Sequence, residues 1–167
     1  FYIVDDGINL SWLFLTLKDY EKSKKYNYDL LHSGLIRSDS SNLVTVYVYL
    51  SRALIKQDSL RKANDFLQKG LQIVELLNEE QLQSSLYQTL GQLEEKRMNL
   101  EGALEYYQKA LSKIQKSVTY SEYLREIYLL IANVHMKLNK LKLASIYADS
   151  VMIYAEFLGS MSHRRDV

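Results

Sequence analysis

The 167-residue chain contains no cysteine and no proline. Without a thiol there is no disulfide framework, no thiolate zinc site and no cysteine nucleophile, and the redox compartment stays open. Without proline, and with only six glycines, nothing punctuates the chain into separate units. A single domain over residues 1–167, built of helix after helix, is the natural expectation. Histidine is scarce as well. His32, His135 and His163 lie far apart in sequence and none has a second ligand at metal spacing, so no metal or other cofactor is expected. There is no excess of positive charge either: 21 Lys and Arg against 20 Asp and Glu leave a formal charge of +1. A surface that displaces counterions from DNA or RNA needs a basic footprint, so direct binding of nucleic acid is disfavoured. Uncharged apolar runs fall short of the ~20 residues that cross a bilayer. No charged segment leading into an apolar core marks a signal peptide. Membrane insertion of this chain is not expected; the compartment is undetermined, with the cytoplasm slightly favoured over the periplasm.

What the chain does have is an ordinary globular balance, 47% apolar and 25% charged residues, and a repeat. The segments Asp19–Ser23, Ser59–Ala63, Asn99–Ala103 and Lys140–Ala144 each end in a small residue, and those residues stand 40, 40 and 41 positions apart. Ahead of each lies an aliphatic–small pair: Leu10-Ser11, Leu50-Ser51, Leu90-Gly91 and Ile131-Ala132. Two helices approach to ~8 Å only where the side chains at the crossing are small, so the two small columns are expected to meet inside each helix pair. Two aromatic columns accompany them, Tyr47, Tyr87 and Tyr128 in the first helices and Tyr26, Phe66, Tyr106 and Tyr147 in the second.

Tyr87-x-x-Leu90-Gly91 followed by Asn99-Leu100-Glu101-Gly102-Ala103-Leu104-Glu105-Tyr106-Tyr107 resembles the tetratricopeptide repeat family. The resemblance runs along essentially the whole chain. Asn27 and Ala148 depart from the pattern in the slot that Tyr107 fills, and the 40-residue period is similar to that of the family's longer variants. It implies an all-α, α-α superhelix of about four helix-turn-helix repeats, near 3–36, 42–77, 80–117 and 120–158. The expected helices run near 3–17, 20–36, 42–56, 60–77, 80–97, 100–117, 120–138 and 141–158. Thr119-x-x-Glu122 reads as a capping box, and Gly159 as the left-handed residue that ends the last helix. Val44–Tyr49 has strand propensity, which the repeat register overrules.

In this family the first helix of each pair lines the inner, concave surface. The register places there Asp5, Asn9, Trp12 and Thr16; then Thr45, Tyr49, Arg52 and Lys56. The later helices supply Ser85, Thr89, Gln92 and Lys96, then Glu126, Leu130, Asn133 and Lys137. Mostly hydrogen-bonding groups with four cations suit an extended peptide, whose backbone needs partners and whose acidic side chains would meet Lys and Arg. The groove expected to bind it comprises Asn9, Trp12, Tyr49, Arg52, Lys56, Thr89, Gln92, Lys96, Asn133 and Lys137. Trp12 reads either as a ligand anchor or as packing for a preceding repeat. The Lys56, Lys96, Lys137 column reads first as cations at helix C-termini and second as a ladder for acids. The family's terminal-carboxylate clamp is not matched, since Ile8, Trp12, Tyr49, Ser85 and Thr89 occupy its slots.

Enzyme chemistry is not expected. The carboxylate pairs Asp5-Asp6, Glu79-Glu80 and Glu94-Glu95 are adjacent and point apart on a helix, and His135 falls at a core position as a satisfied inner histidine. The resemblance implies a protein- or peptide-binding module, the sensor or partner-binding part of a larger, bacterial regulatory or signalling protein. The alternative is a structural scaffold that assembles through its apolar ends. The last helix is apolar on most of its faces, so a cover is expected: a further repeat starting near Ser162, or a second copy of the chain. The opening Phe1-Tyr2-Ile3, without methionine, likewise suggests a piece of something longer.

Overall fold

The computed structural model describes residues 2–114 and 121–165. Among the described residues there are eight helices and no strand: α1 (Tyr2–Thr16), α2 (Tyr20–Ser33), α3 (Ser40–Lys56), α4 (Leu60–Val74), α5 (Glu80–Lys96), α6 (Leu100–Ile114), α7 (Ser121–Lys137) and α8 (Leu141–Arg165). They pack as four antiparallel pairs, α1 with α2, α3 with α4, α5 with α6 and α7 with α8, and each pair rests on the one before it. This is a tetratricopeptide-like α-α superhelix. Val44–Tyr49 is helical within α3. Val44, Val46 and Val48 are all buried there, and packing on both neighbouring pairs outweighs the few tenths of a kcal/mol that β-branched residues lose in a helix.

The turn inside each pair is made the same way four times. Lys18, Asp58, Met98 and Asn139 are left-handed, with φ of 60°, 55°, 64° and 56°. The next amide reaches back across the helix end, from Asp19 to the Phe14 carbonyl, Ser59 to Leu54, Asn99 to Glu94 and Lys140 to His135. That closure satisfies carbonyls the helix would otherwise orphan. Asp19 then caps α2 by accepting the Lys22 amide, and Asn99 accepts that of Gly102.

Inside the pairs the small columns meet as their spacing implies. The Ser11 hydroxyl lies 3.2 Å from that of Ser23, and the Ser51 hydroxyl donates to the Ala63 carbonyl. One turn further along each second helix, the facing slot is filled differently each time. In the first pair Asn27 donates to Ser11. In the third, the Tyr107 ring lies directly over Gly91, fully buried, where any β-carbon would collide with it. The aromatic columns also pair: Tyr47 with Phe66 at 5.7 Å between centroids, Tyr87 with Tyr106 at 6.5 Å, and Tyr128 with Tyr147 at 6.0 Å. Gly7 stands at the Tyr47 position in the first pair, and Tyr26 stacks on Phe14 instead.

Several expectations require correction. α2 and α4 end at Ser33 and Val74, three residues early. Gly34 turns left-handed at φ 72°, which lets Ile36 turn into the core. After α4 the Leu76 and Leu77 amides tighten the end onto Ile73 and Val74. Gly159 does not end the last helix: α8 continues through it to Arg165, so no new helix starts at Ser162. A lone helical glycine costs only ~1 kcal/mol, which continued helix formation offsets. A further repeat would not cover all of α8 either. Leu143, Ile146 and Ile153 are exposed at the positions where α2 and α4 expose Lys22, Lys25 and His32, and Lys62, Asp65 and Gln72. Those positions stay open even inside the stack. Thr119, and with it the capping box, lies outside the described residues.

Candidate functional site

α1 packs directly on α3 and α3 on α5, whereas no two second helices pack as closely. The first helices therefore form the tighter, inner layer, and their shared face is the natural groove. Two hollows open along it. The first, about 260 Å³, is lined by Thr45, Tyr49 and Ser85 from the expected stripe, with Val48, Leu82, Glu79, Gln81 and Tyr123. The second, about 210 Å³, is lined by Lys56, Gln92, Lys96, Leu130 and Lys137, with Ile55 and Glu95. Asn9, Trp12, Arg52, Thr89 and Asn133 line neither. Asn9 and Trp12 are exposed on α1, and Asn133 is half-buried on α7. Trp12 holds the same register position as Arg52, Gln92 and Asn133.

On α3, Arg52 stands one turn from Tyr49, which lines the first hollow, and one turn from Lys56, which lines the second. Its Nε donates to the Thr89 hydroxyl at 3.0 Å, and Nη2 donates to the Ser85 hydroxyl at 3.1 Å and toward the Gln88 side-chain Oε1 at 3.4 Å. All three acceptors are neutral. The half-buried guanidinium is thus held by dipoles alone, with no carboxylate paired to it among the described residues. Beside it, burial holds the Tyr49 phenol above its usual range, against the opposing pull of Arg52, so it remains a neutral hydrogen-bond donor. Thr89 is fully buried beneath Arg52, accepting from its Nε and donating to the Ser85 carbonyl.

The lysine column is largely engaged in structure. Lys96 pairs with Asp58 across one repeat at 3.0 Å, and Lys137 pairs with Glu95 at 2.6 Å. All three lysines lie in the last turn of their helices, where the dipole favours them. Lys56 has no ion pair among the described residues.

Glu95 was not singled out by sequence reasoning. One carboxylate oxygen accepts from Lys137 and the other from the Tyr107 hydroxyl at 2.8 Å, tying α5 to α6 and α7. Burial, with that carboxylate beside it, pushes the Tyr107 phenol well above its ordinary range. A signal was present: Glu95 holds the position of Leu15, Ile55 and Met136, one acid in an apolar column. Gln88 is the same kind of exception, among Ile8, Val48 and Leu129. At the other end of the groove, Ser41 donates to Glu79 and Gln81 to Tyr123, linking successive pairs. His135 is buried and stacked 5.4 Å from Tyr147, as its register implies. It is not satisfied, however, since Nδ1 has no partner among the described residues. Burial, then Lys140, lowers its pKa below 6.5.

No family model and no curated protein matches the sequence. Solved structures do. BtubC (BKLC) from P. vanneervenii aligns with a TM-score of 0.75 at 15% identity over 93% of this chain, which spans 64% of BtubC. MamA aligns with a TM-score of 0.63 at 15% identity, over 94% of this chain and 81% of MamA. A MamA RS-1 ArsTM double mutant gives 0.61 at 13% identity, over 93% and 76% of the two chains. At such identities the likeness is one of fold.

Proposed function

We propose that the chain is a protein-interaction module that holds an extended, acidic stretch of a partner polypeptide along its first helices. The reading takes residues 1–167 as one long-period tetratricopeptide domain serving as the partner-binding part of a larger regulatory or signalling protein. The observation that carries it is Arg52, a cation held by neutral groups alone, with Tyr49 one turn before it in one groove hollow and the unpaired Lys56 one turn after it in the other. A carboxylate entering there gains charge-assisted hydrogen bonds without breaking an existing ion pair. Tyr49, Gln92 and Asn133 add donors and acceptors for peptide backbone. Trp12 supplies an apolar anchor at one end. A structural scaffold is the second reading, favoured by the open apolar stripe Leu143, Ile146 and Ile153 on α8.

The test is selection from a displayed library of random peptides. Wild-type protein is expected to enrich sequences rich in Asp and Glu. Tyr49→Ala and Lys56→Glu should abolish that enrichment, and Lys62→Glu, on the exposed outer side of α4, should leave it intact. Enrichment unaffected by the groove variants, or none at all, overturns this reading in favour of the scaffold.

A further inference from the structure

We propose that copies of this chain stack head to tail, α1 of one copy seated on α7 and α8 of the next as an added step of the same superhelix. The pattern of the internal joints carries the inference. Where α3 meets the first pair, Val46 packs in one cluster with Val4, Ile8, Leu30 and Leu31. Leu86 takes the Val46 position in α5, where it lies against Gly70 of α4, and Ile127 takes it in α7. Val46, Leu86 and Ile127 are all fully buried.

On α1 the same face reads Ile3, Asp6, Leu10, Leu13 and Leu17, and Ile3, Leu13 and Leu17 are exposed. It opens into a mostly apolar hollow of about 430 Å³ between α1 and α2, bordered by Tyr26 and Leu30. The receiving half of a joint stands open at the other end. There Arg125, Leu129 and Met152 hold the positions of Val4, Ile8 and Leu31, and all three are exposed.

Charge identifies the occupant. The position that docks is apolar in α3, α5 and α7 but Asp6 in α1. Val4 packs in the cluster that holds Val46 at the first joint, and its register position is Val44 and Ser84 in the next two pairs but Arg125 in the last. Stacking two copies brings this acid onto this base, and neither has an ion pair among the described residues. Closing such a joint over either charge alone would strand it, so each end fits the other end of the same chain better than an apolar repeat face. Since the two faces differ, the contact is heterologous and does not close on itself, giving open chains rather than a dimer. Asp6 and Arg125 lie off the expected groove stripe, and association rather than peptide capture is what the test reads, so this proposal can fail without the peptide-binding reading failing.

Sedimentation velocity on the 167-residue chain tests it, with Asp6→Arg, Arg125→Asp and their equimolar mixture alongside. The wild type is expected to gain mass past the dimer as concentration rises. Each charge reversal alone should weaken association by about tenfold or more, which corresponds to about 1.4 kcal/mol. The mixture should recover it, because each variant then supplies the complement the other lacks. Both positions are exposed, so the variants should keep wild-type circular dichroism; Met152→Lys provides a second, charge-independent block. A wild type that stays monomeric, one that stops at a dimer, or a mixture that associates no better than its components would overturn the proposal.

Discussion

Replacing Gly91 by alanine is the sharpest probe of how the pairs close. In an ordinary helix interior the change would stabilise, since alanine is favoured over glycine by about 1 kcal/mol. Here the new methyl would sit inside the van der Waals envelope of the Tyr107 ring. The ring cannot swing away, because it is fully buried and its hydroxyl is held by Glu95 at 2.8 Å. Overpacking of this kind costs about 1–3 kcal/mol, and so firm an obstruction places it at the upper end. The net loss is then about 2 kcal/mol. For a chain of this size that lowers the melting temperature by about 4–8 °C. Adding Tyr107→Leu should offset much of the loss, because the chain already contains that solution as Ser51 facing Leu67 in the second pair. A double-mutant cycle by urea unfolding should show a coupling of at least about 1 kcal/mol. Gly91→Ala as stable as wild type, or strictly additive effects, would refute the reasoning.

Three further outcomes follow from the geometry. Met98→Gly should raise the unfolding free energy, measured by urea titration, by up to about 1 kcal/mol, since the left-handed strain of a non-glycine residue is relieved and the Met98 side chain is 75% exposed; Gly34→Ala should lower it by a similar amount. Arg52→Met should cost about 1–3 kcal/mol by leaving acceptors around Thr89 and Gln88 unpaired, while Lys56→Met stays within about 0.5 kcal/mol. His135 is held neutral by burial, so the unfolded chain binds a proton first as pH falls below 6.5. Stability is therefore complete above pH 6.5 and declines as pH drops toward the lowered native value. Thermal melts between pH 7.5 and 5 should show that decline, flattened in His135→Phe.

The fold was legible because helix crossings demand small residues, and the 40-residue spacing of Ser23, Ala63, Ala103 and Ala144 records that demand directly. The turns were less legible. Lys18, Asp58, Met98 and Asn139 recur at the same spacing but share no side-chain chemistry, since what they share is a backbone conformation. Gly159 misled for the converse reason: a residue able to turn left-handed need not do so while the helix can continue. The groove stripe followed from register, which tells direction but not depth. Thr89 points the expected way yet is covered by Arg52, and two of the three lysines are already paired. Glu95 was discounted with its neighbour Glu94 as one of two carboxylates pointing apart. That direction is what lets Glu95 reach Tyr107 and Lys137.

Site-specific photo-cross-linking tests the binding face most directly. A benzophenone amino acid is placed at Thr45 in the groove or at Lys62 on the exposed outer side of α4, and each protein is illuminated with a random peptide pool enriched in Asp and Glu. The groove account predicts adducts from position 45 that free poly-glutamate competes away, and background labelling from position 62. Equal labelling at the two positions, or labelling confined to position 62, would contradict it.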